Sequence, residues 1–134
     1  MDLTKNFPRS PFDMLAGMVM LPRTIDKCEA FHAGKLGEYH YGCPLDQSLF
    51  SFLGTNKNEF AEKVKELKID KKIAEWTESF NKNQKEKDRF NNKIRHSIPD
   101  DKDSKTWMES EKKKLGRNDY FSYFDNIDAD EKRF

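Results

Sequence analysis

The sequence predicts an all-α fold, a compact single-domain bundle of about six to eight short helices with an irregular rather than up-down arrangement. Three observations carry that expectation. Apolar residues recur at spacings of three and four, proline or a capping residue precedes most of these stripes, and glycine closes several of them. Strand-like alternation is nowhere sustained.

Ser10-Pro11 has the chemistry of a helix start, with serine as N-cap and proline in the first turn. Met14, Leu15, Met18 and Val19 follow at helical spacing, so a first helix is expected, with Pro22 either stopping it or beginning the next. Ile25, Cys28 and His32 share one face of a second helix ended by Gly34 or Gly37, and His32 on that stripe reads as a hydrogen-bonded core residue. Pro44 opens a third helix through Leu45, Leu49, Phe50, Phe52 and Leu53, with Gly54 at its end. Thr55 is the expected cap of a fourth, carrying Phe60, Val64 and Leu67. Asp70 is the expected cap of a fifth, with Ile73, Trp76 and Phe80 inward.

Beyond Asn83 the pattern thins to single anchors, Phe90, Ile94 and Ile98. Pro99 breaks the chain, and Asp100 to Ser104 supply cap chemistry for a helix with Trp107, Met108 and Leu115, ended by Gly116. Asp119 is then expected to cap an aromatic closing helix at Tyr120 to Phe124.

Charged residues (37%) slightly outnumber hydrophobic ones (35%), and mean hydropathy is −1.01, so the core must come from few, large side chains. Eleven Phe and two Trp can supply it. Charge falls unevenly along the chain, which suggests a division of one domain, 1–134, into three parts. Residues 1–80 form the core, 81–118 are highly charged and more exposed helices, and 119–134 are an aromatic segment docking on the core.

The same totals limit function. A net charge of +1 gives no global field for nucleic acid. Segment 81–118 holds 12 Lys/Arg against 7 Asp/Glu, but the signs interleave and no recognition motif is present, so a solvated helical face is expected. Two cysteines make no disulfide scaffold, and there is no secretory h-region and no apolar run long enough for a bilayer. A protein of the reducing cytoplasm, with no membrane partner, is the expectation.

Reactive groups concentrate in Leu36 to Gln47, which contains Tyr39, His40, Tyr41, Cys43 and Asp46. Cys43 before Pro44 would sit at a helix N-terminus, where partial positive charge favours an anion, while Asp46 in the same turn opposes it. One reading makes Cys43 a nucleophile with His40 or His32 as base, and the other makes it a small apolar residue beside a capping Asp46. Upstream, Arg23, Asp26 and Lys27 fall at i, i+3 and i+4, away from the Ile25 face. Such a triplet either holds an anion, with Asp26 orienting the cations, or forms a solvated salt-bridge face.

No metal site is expected, because His32, His40 and Cys43 match no four-ligand pattern. Asn126 to Glu131 resembles a calcium loop only superficially, with Glu131 where that loop needs glycine. No cofactor motif is present.

Pro8-Arg9-Ser10-Pro11, Leu21-Pro22-Arg23-Thr24-Ile25-Asp26-Lys27 and Gly37-Glu38-Tyr39 through Cys43-Pro44-Leu45-Asp46 resemble a bacterial family catalogued as domain of unknown function 5069. The likeness continues through Phe50, Phe52-Leu53-Gly54 and Glu59-Phe60, and returns near Trp76 and in Gly116-Arg117 to Asp125. It implies a small cytosolic domain without an assigned reaction, and it directs attention to Arg23, Asp26, Lys27, Cys43, Pro44 and Asp46. The Lys- and Asn-rich second half departs from the family pattern.

The resulting expectation is a binding or interaction module rather than an enzyme. Its site would lie between the second helix and the 37–47 turn, taking a small anionic ligand or a protein partner. Arg23, Asp26, Lys27 and Asp46 would provide the polar groups, and Tyr39 and Tyr41 an aromatic wall. The alternatives are a thiol-dependent enzyme using Cys43, and an oligomerising protein that associates through its Phe-rich C-terminus.

Overall fold

A computed structural model describes residues 1–134. It is mostly helical, with seven helices and one two-stranded sheet, in agreement with the predicted class. The chain forms two compact units, Met1–Asn91 and Asn92–Phe134.

In the first unit the expected opening helix is absent. Met14–Leu15 (β1) and Met18–Val19 (β2) pair antiparallel instead, with Met14 opposite Val19 and Leu15 opposite Met18. Spacings of three and four fit a two-residue hairpin as well as a helix. The backbone decides: Ala16 and Gly17 both take positive φ, 53° and 75°, as a tight hairpin turn requires. Upstream, Ser10 closes a turn rather than capping a helix. Its amide donates to the Asp13 carboxylate (3.0 Å), and the Asp13 amide donates to the Ser10 carbonyl (3.0 Å).

The hairpin is completed by a residue far away in sequence. The buried Asn91 accepts from the Val19 amide (3.0 Å) and donates to the Gly17 carbonyl (2.9 Å). Asn91→Ala leaves both backbone groups without this partner. It is expected to destabilise the protein by about 2–3 kcal/mol in urea denaturation; a change under about 0.5 kcal/mol, the level of an ordinary surface substitution, refutes the assignment.

Five helices belong wholly or partly to this unit. They are α1 (Leu21–Ala33), α2 (Pro44–Leu53), α3 (Lys57–Leu67), α4 (Asp70–Glu78) and α5 (Gln84–Arg95), the division between the units falling inside α5. Proline lies in the first turn of α1 and α2, and left-handed Gly34 and Gly54 end them, as the sequence suggests. The cap of α3 is Asn56, which accepts from the Glu59 amide (2.8 Å); Thr55, the expected cap, bonds the Glu59 side chain instead. Asp70 lies inside the first turn of α4, not at its cap. Ile98 lies beyond the end of α5 and is exposed.

The core of the first unit gathers Leu21, Ile25 and Cys28 from α1, Leu49 and Phe50 from α2, Phe60 and Val64 from α3, and Ile73 from α4. The Phe50 and Phe60 rings lie 5.1 Å apart, and each is almost wholly buried. Aromatic rings are nevertheless a minority of this core: Tyr41, Phe50 and Phe60 pack among aliphatic side chains. Phe7, Phe31, Phe121 and Phe134 are exposed, so the expected aromatic core is only partly realised.

In the second unit α6 (Lys102–Leu115) packs against α7 (Tyr123–Asp130) around Met108, Tyr120 and Ala129. Asp101 caps α6 through the Ser104 amide (2.7 Å) and Gly116 ends it. The expected cap at Asp119 is displaced. Ser122 accepts from the Asp125 amide (3.1 Å) at the start of α7, while Asp119 forms an ion pair with Arg117 (2.6 Å). No helix is long and apolar enough to cross a membrane.

Candidate functional site

Arg23, Asp26 and Lys27 are not a solvated face. They are only 4%, 3% and 4% exposed, although they point away from the aliphatic face of α1. Two segments cover them, the N-terminal stretch around Arg9 and the 37–47 turn. Asp26 and Lys27 meet opposite charges, and Arg23 meets a backbone carbonyl and an aromatic ring.

Asp26 accepts three bonds from Arg9: from its amide (2.8 Å), its Nε (3.1 Å) and its Nη2 (3.0 Å). Arg9 also donates from Nη1 to Asp70 (2.6 Å) at the start of α4. This bidentate sharing between Asp70 and Asp26 keeps the guanidinium charged beyond its ordinary range, with the bond to Asp70 the largest influence. Glu29, one turn further along α1, is pushed upward, chiefly by burial and secondly by the negative charge of Asp26.

Asp46 is fully buried and serves as the second hub. Its carboxylate receives Lys27 Nζ (2.8 Å), Thr24 Oγ1 (2.9 Å), and the backbone amides of Gly42 (2.9 Å) and Cys43 (3.2 Å). The amide of Cys43 is the N-cap group of α2, so one carboxylate both caps α2 and neutralises a buried lysine of α1. Lys27 Nζ also lies 3.3 Å from Cys43 Sγ. Arg23 donates from Nη1 to the Arg9 carbonyl (3.2 Å) and holds its guanidinium 5.6 Å from the centre of the Tyr39 ring. No buried side-chain nitrogen or oxygen lacks a hydrogen-bond partner.

The turn is shaped by two glycines. Gly37 (φ 60°) sits against the backbone of Leu3, where a Cβ would meet the Leu3 carbonyl oxygen at 3.0 Å. Gly42 (φ 88°) lies under Lys57, whose side chain a Cβ would meet at 2.8 Å. The left-handed backbone favours glycine at both positions, and at Gly37 the Leu3 backbone, which unlike the Lys57 side chain cannot swing away, adds a steric demand.

The structure brings Arg23, Asp26, Lys27, Tyr39, Cys43 and Asp46 together and leaves out the remaining candidates. Tyr41 is buried in the core, donating its hydroxyl to the Lys57 carbonyl (2.7 Å) between Phe31 and Phe60. Burial raises the phenol above its usual range, with nearby Cys28 adding to it. His40 is exposed and hydrogen-bonds to nothing in the chain. His32 is exposed rather than part of the core, with Nε2 2.8 Å from the Ala61 carbonyl and 3.7 Å from Cys28 Sγ. Neither histidine hydrogen-bonds to Cys43. No group of three His, Cys, Asp or Glu side chains is arranged to hold a metal.

Sequence reasoning missed Arg9, Thr24 and Asp70. Arg9 and Thr24 stand inside two of the quoted motifs, which was the available signal. Asp70 carried none, because its role as a carboxylate partner depends on how α4 packs.

The family model described as domain of unknown function (DUF5069) matches residues 5–133. The chain belongs to that family. No curated protein matches it. In this DUF5069 chain, three motifs distant in sequence, at 8–11, 21–27 and 43–46, meet along α1 in two polar hubs, at Asp26 and at Asp46.

Proposed function

We propose that the protein is a small binding module whose site is the junction between α1 and the 37–47 turn, and that it takes a small ligand bearing one anionic group, such as a carboxylate. One observation supports this above the rest. A matched set of buried charges lies directly beneath a half-buried rim made by Tyr39 and Cys43. Burying ions is expensive even when they are paired, and hydrophobic replacements of similar volume often stabilise a fold as well or better. A network of this kind is therefore better explained by recognition than by stability alone.

The rim suits the ligand class. Arg23 and Lys27 are one helical turn apart, so Tyr39 over the first and Cys43 over the second are spaced to flank a small group. Carboxylates Asp26, Asp46 and Asp70 balance the cations Arg9, Arg23 and Lys27, which disfavours multiply charged anions.

Alkylation of Cys43 provides the test, since Cys28 is fully buried and will not compete in the folded protein. Acetate, benzoate, sulfate and inorganic phosphate would be titrated against iodoacetamide labelling. Benzoate or acetate is expected to slow labelling saturably, and Tyr39→Ala to remove the protection while leaving the circular dichroism spectrum unchanged. Labelling unaffected by all four anions overturns the reading.

The Lys27–Cys43 contact favours a second reading, in which Cys43 is a nucleophile with Lys27, not a histidine, as its electrostatic partner. Native Cys43 would then alkylate faster than the same thiol in urea-unfolded protein. A slower native rate sinks that reading.

A further inference from the structure

The second unit contains a separate candidate site. A cavity of about 430 Å³ lies along the last two turns of α6 and the residues after it, lined by Thr106, Glu109, Ser110, Lys112, Lys113, Arg117 and Asn118. That volume lies within the ~300–1,000 Å³ range of small-molecule sites. Three cations line it against one carboxylate.

These groups differ in how far they are engaged. Lys112 is buried, 3.8 Å from Glu109, and lies 4.5 Å from the centre of the Phe121 ring and 5.8 Å from that of Tyr120. Arg117 pairs with Asp119 and rests over Phe134 (4.3 Å). The Lys113 ammonium, the Ser110 hydroxyl and the Asn118 amide reach no other group of the protein and can donate into the cavity. A helix C-terminus normally repels anions through its free carbonyls. Here the Gly116 and Arg117 amides occupy the Lys113 and Lys112 carbonyls (3.1 and 2.9 Å), which weakens that opposition.

Phe121 adds the second half of the chemistry. It is 67% exposed, the most open large apolar side chain in the protein, and its ring centre lies 4.5 Å from the ammonium of Lys112, one of the residues that line the cavity. An exposed aromatic ring beside unengaged donors and a cation suits a ligand with a flat ring at one end and a phosphate at the other. We propose that this cavity binds a nucleoside monophosphate, with its base on Phe121 and its phosphate on Lys113, Ser110 and Asn118. The acidic residues interleaved through α6 argue against a long nucleic acid and for a single nucleotide.

Adenosine monophosphate, adenosine, inorganic phosphate and a short single-stranded RNA would be titrated separately by NMR against the full chain. The monophosphate is expected to bind saturably and at least about tenfold tighter than adenosine or phosphate alone. Lys113→Gln should weaken it about tenfold, the scale of one charge-assisted hydrogen bond. Phe121→Ala should weaken the monophosphate but leave phosphate unchanged. Both side chains are exposed, so the variants should keep the wild-type spectrum outside the site. No saturable binding, equal binding of phosphate and monophosphate, or binding of RNA alone each overturns the proposal. So does self-association that Phe121→Ala abolishes without any nucleotide binding.

Discussion

Asp46→Ala is expected to destabilise the protein by about 3–5 kcal/mol, enough to consume a large part of a typical domain's stability. The substitution strands the buried Lys27 ammonium without its carboxylate and frees Thr24, and it removes the acceptor at the start of α2. Urea denaturation with circular dichroism measures the effect. Lys27→Met should cost less on its own than Asp46→Ala, because Asp46 keeps Thr24 and two backbone donors. The double variant Lys27→Met/Asp46→Leu should recover part of the loss, since a paired charge is replaced by apolar volume. If Asp46→Ala loses less than about 1 kcal/mol, the carboxylate is not the hub described above.

Stability should also fall steeply in alkali. Burial pushes the Cys28 thiol up to about 12 from an ordinary 9.0, and the Tyr41 phenol is raised too, chiefly by burial. Both groups are neutral when protonated, so each stays protonated in the folded state at a pH where the unfolded chain has lost the proton. The folded state then binds more protons, and stability declines as pH rises. The stabilising effect is complete below about 9 and is lost as pH climbs through about 12. The slope reaches at most about 1.4 kcal/mol per pH unit for each group. Thermal melts between pH 8 and pH 11 should show a falling midpoint, and Cys28→Ala should flatten the curve while lowering it overall. A curve equally steep in Cys28→Ala would exclude the thiol as a contributor.

Much of the architecture could be read from local punctuation. Pro22, Pro44, Gly34, Gly54 and Gly116 mark helix ends because their backbone preferences act without help from the rest of the chain. Met14, Leu15, Met18 and Val19 misled because four apolar residues fit a helical stripe and a tight hairpin equally well. The deciding partner, Asn91, is supplied from α5. Caps slipped by one to three residues where neighbouring polar side chains compete for the same amides, as with Thr55 and Asn56 or Asp119 and Ser122.

The candidate site was legible in its members but not in its environment. Arg23, Asp26, Lys27 and Asp46 could be named from the spacing of charges along α1 and beside Pro44. Their burial could not, since it depends on Arg9 folding back across seventeen residues to Asp26. Tyr39 and Tyr41 differ by two positions in an irregular turn, and no periodic rule says which faces Arg23 and which enters the core.

Helix ends ordinarily fray, and loops that precede them are the first parts of a protein to open. The start of α2 departs from that habit. The Gly42 and Cys43 amides are held by the same carboxylate that grips Lys27 and Thr24 on α1. The turn therefore cannot loosen at this end without parting two helices. In amide exchange these two positions should behave as members of the slow core, while the exposed His40, three residues before Cys43, exchanges quickly. A ligand meeting this rim would find a surface already set in place, and would gain affinity by having little left to order.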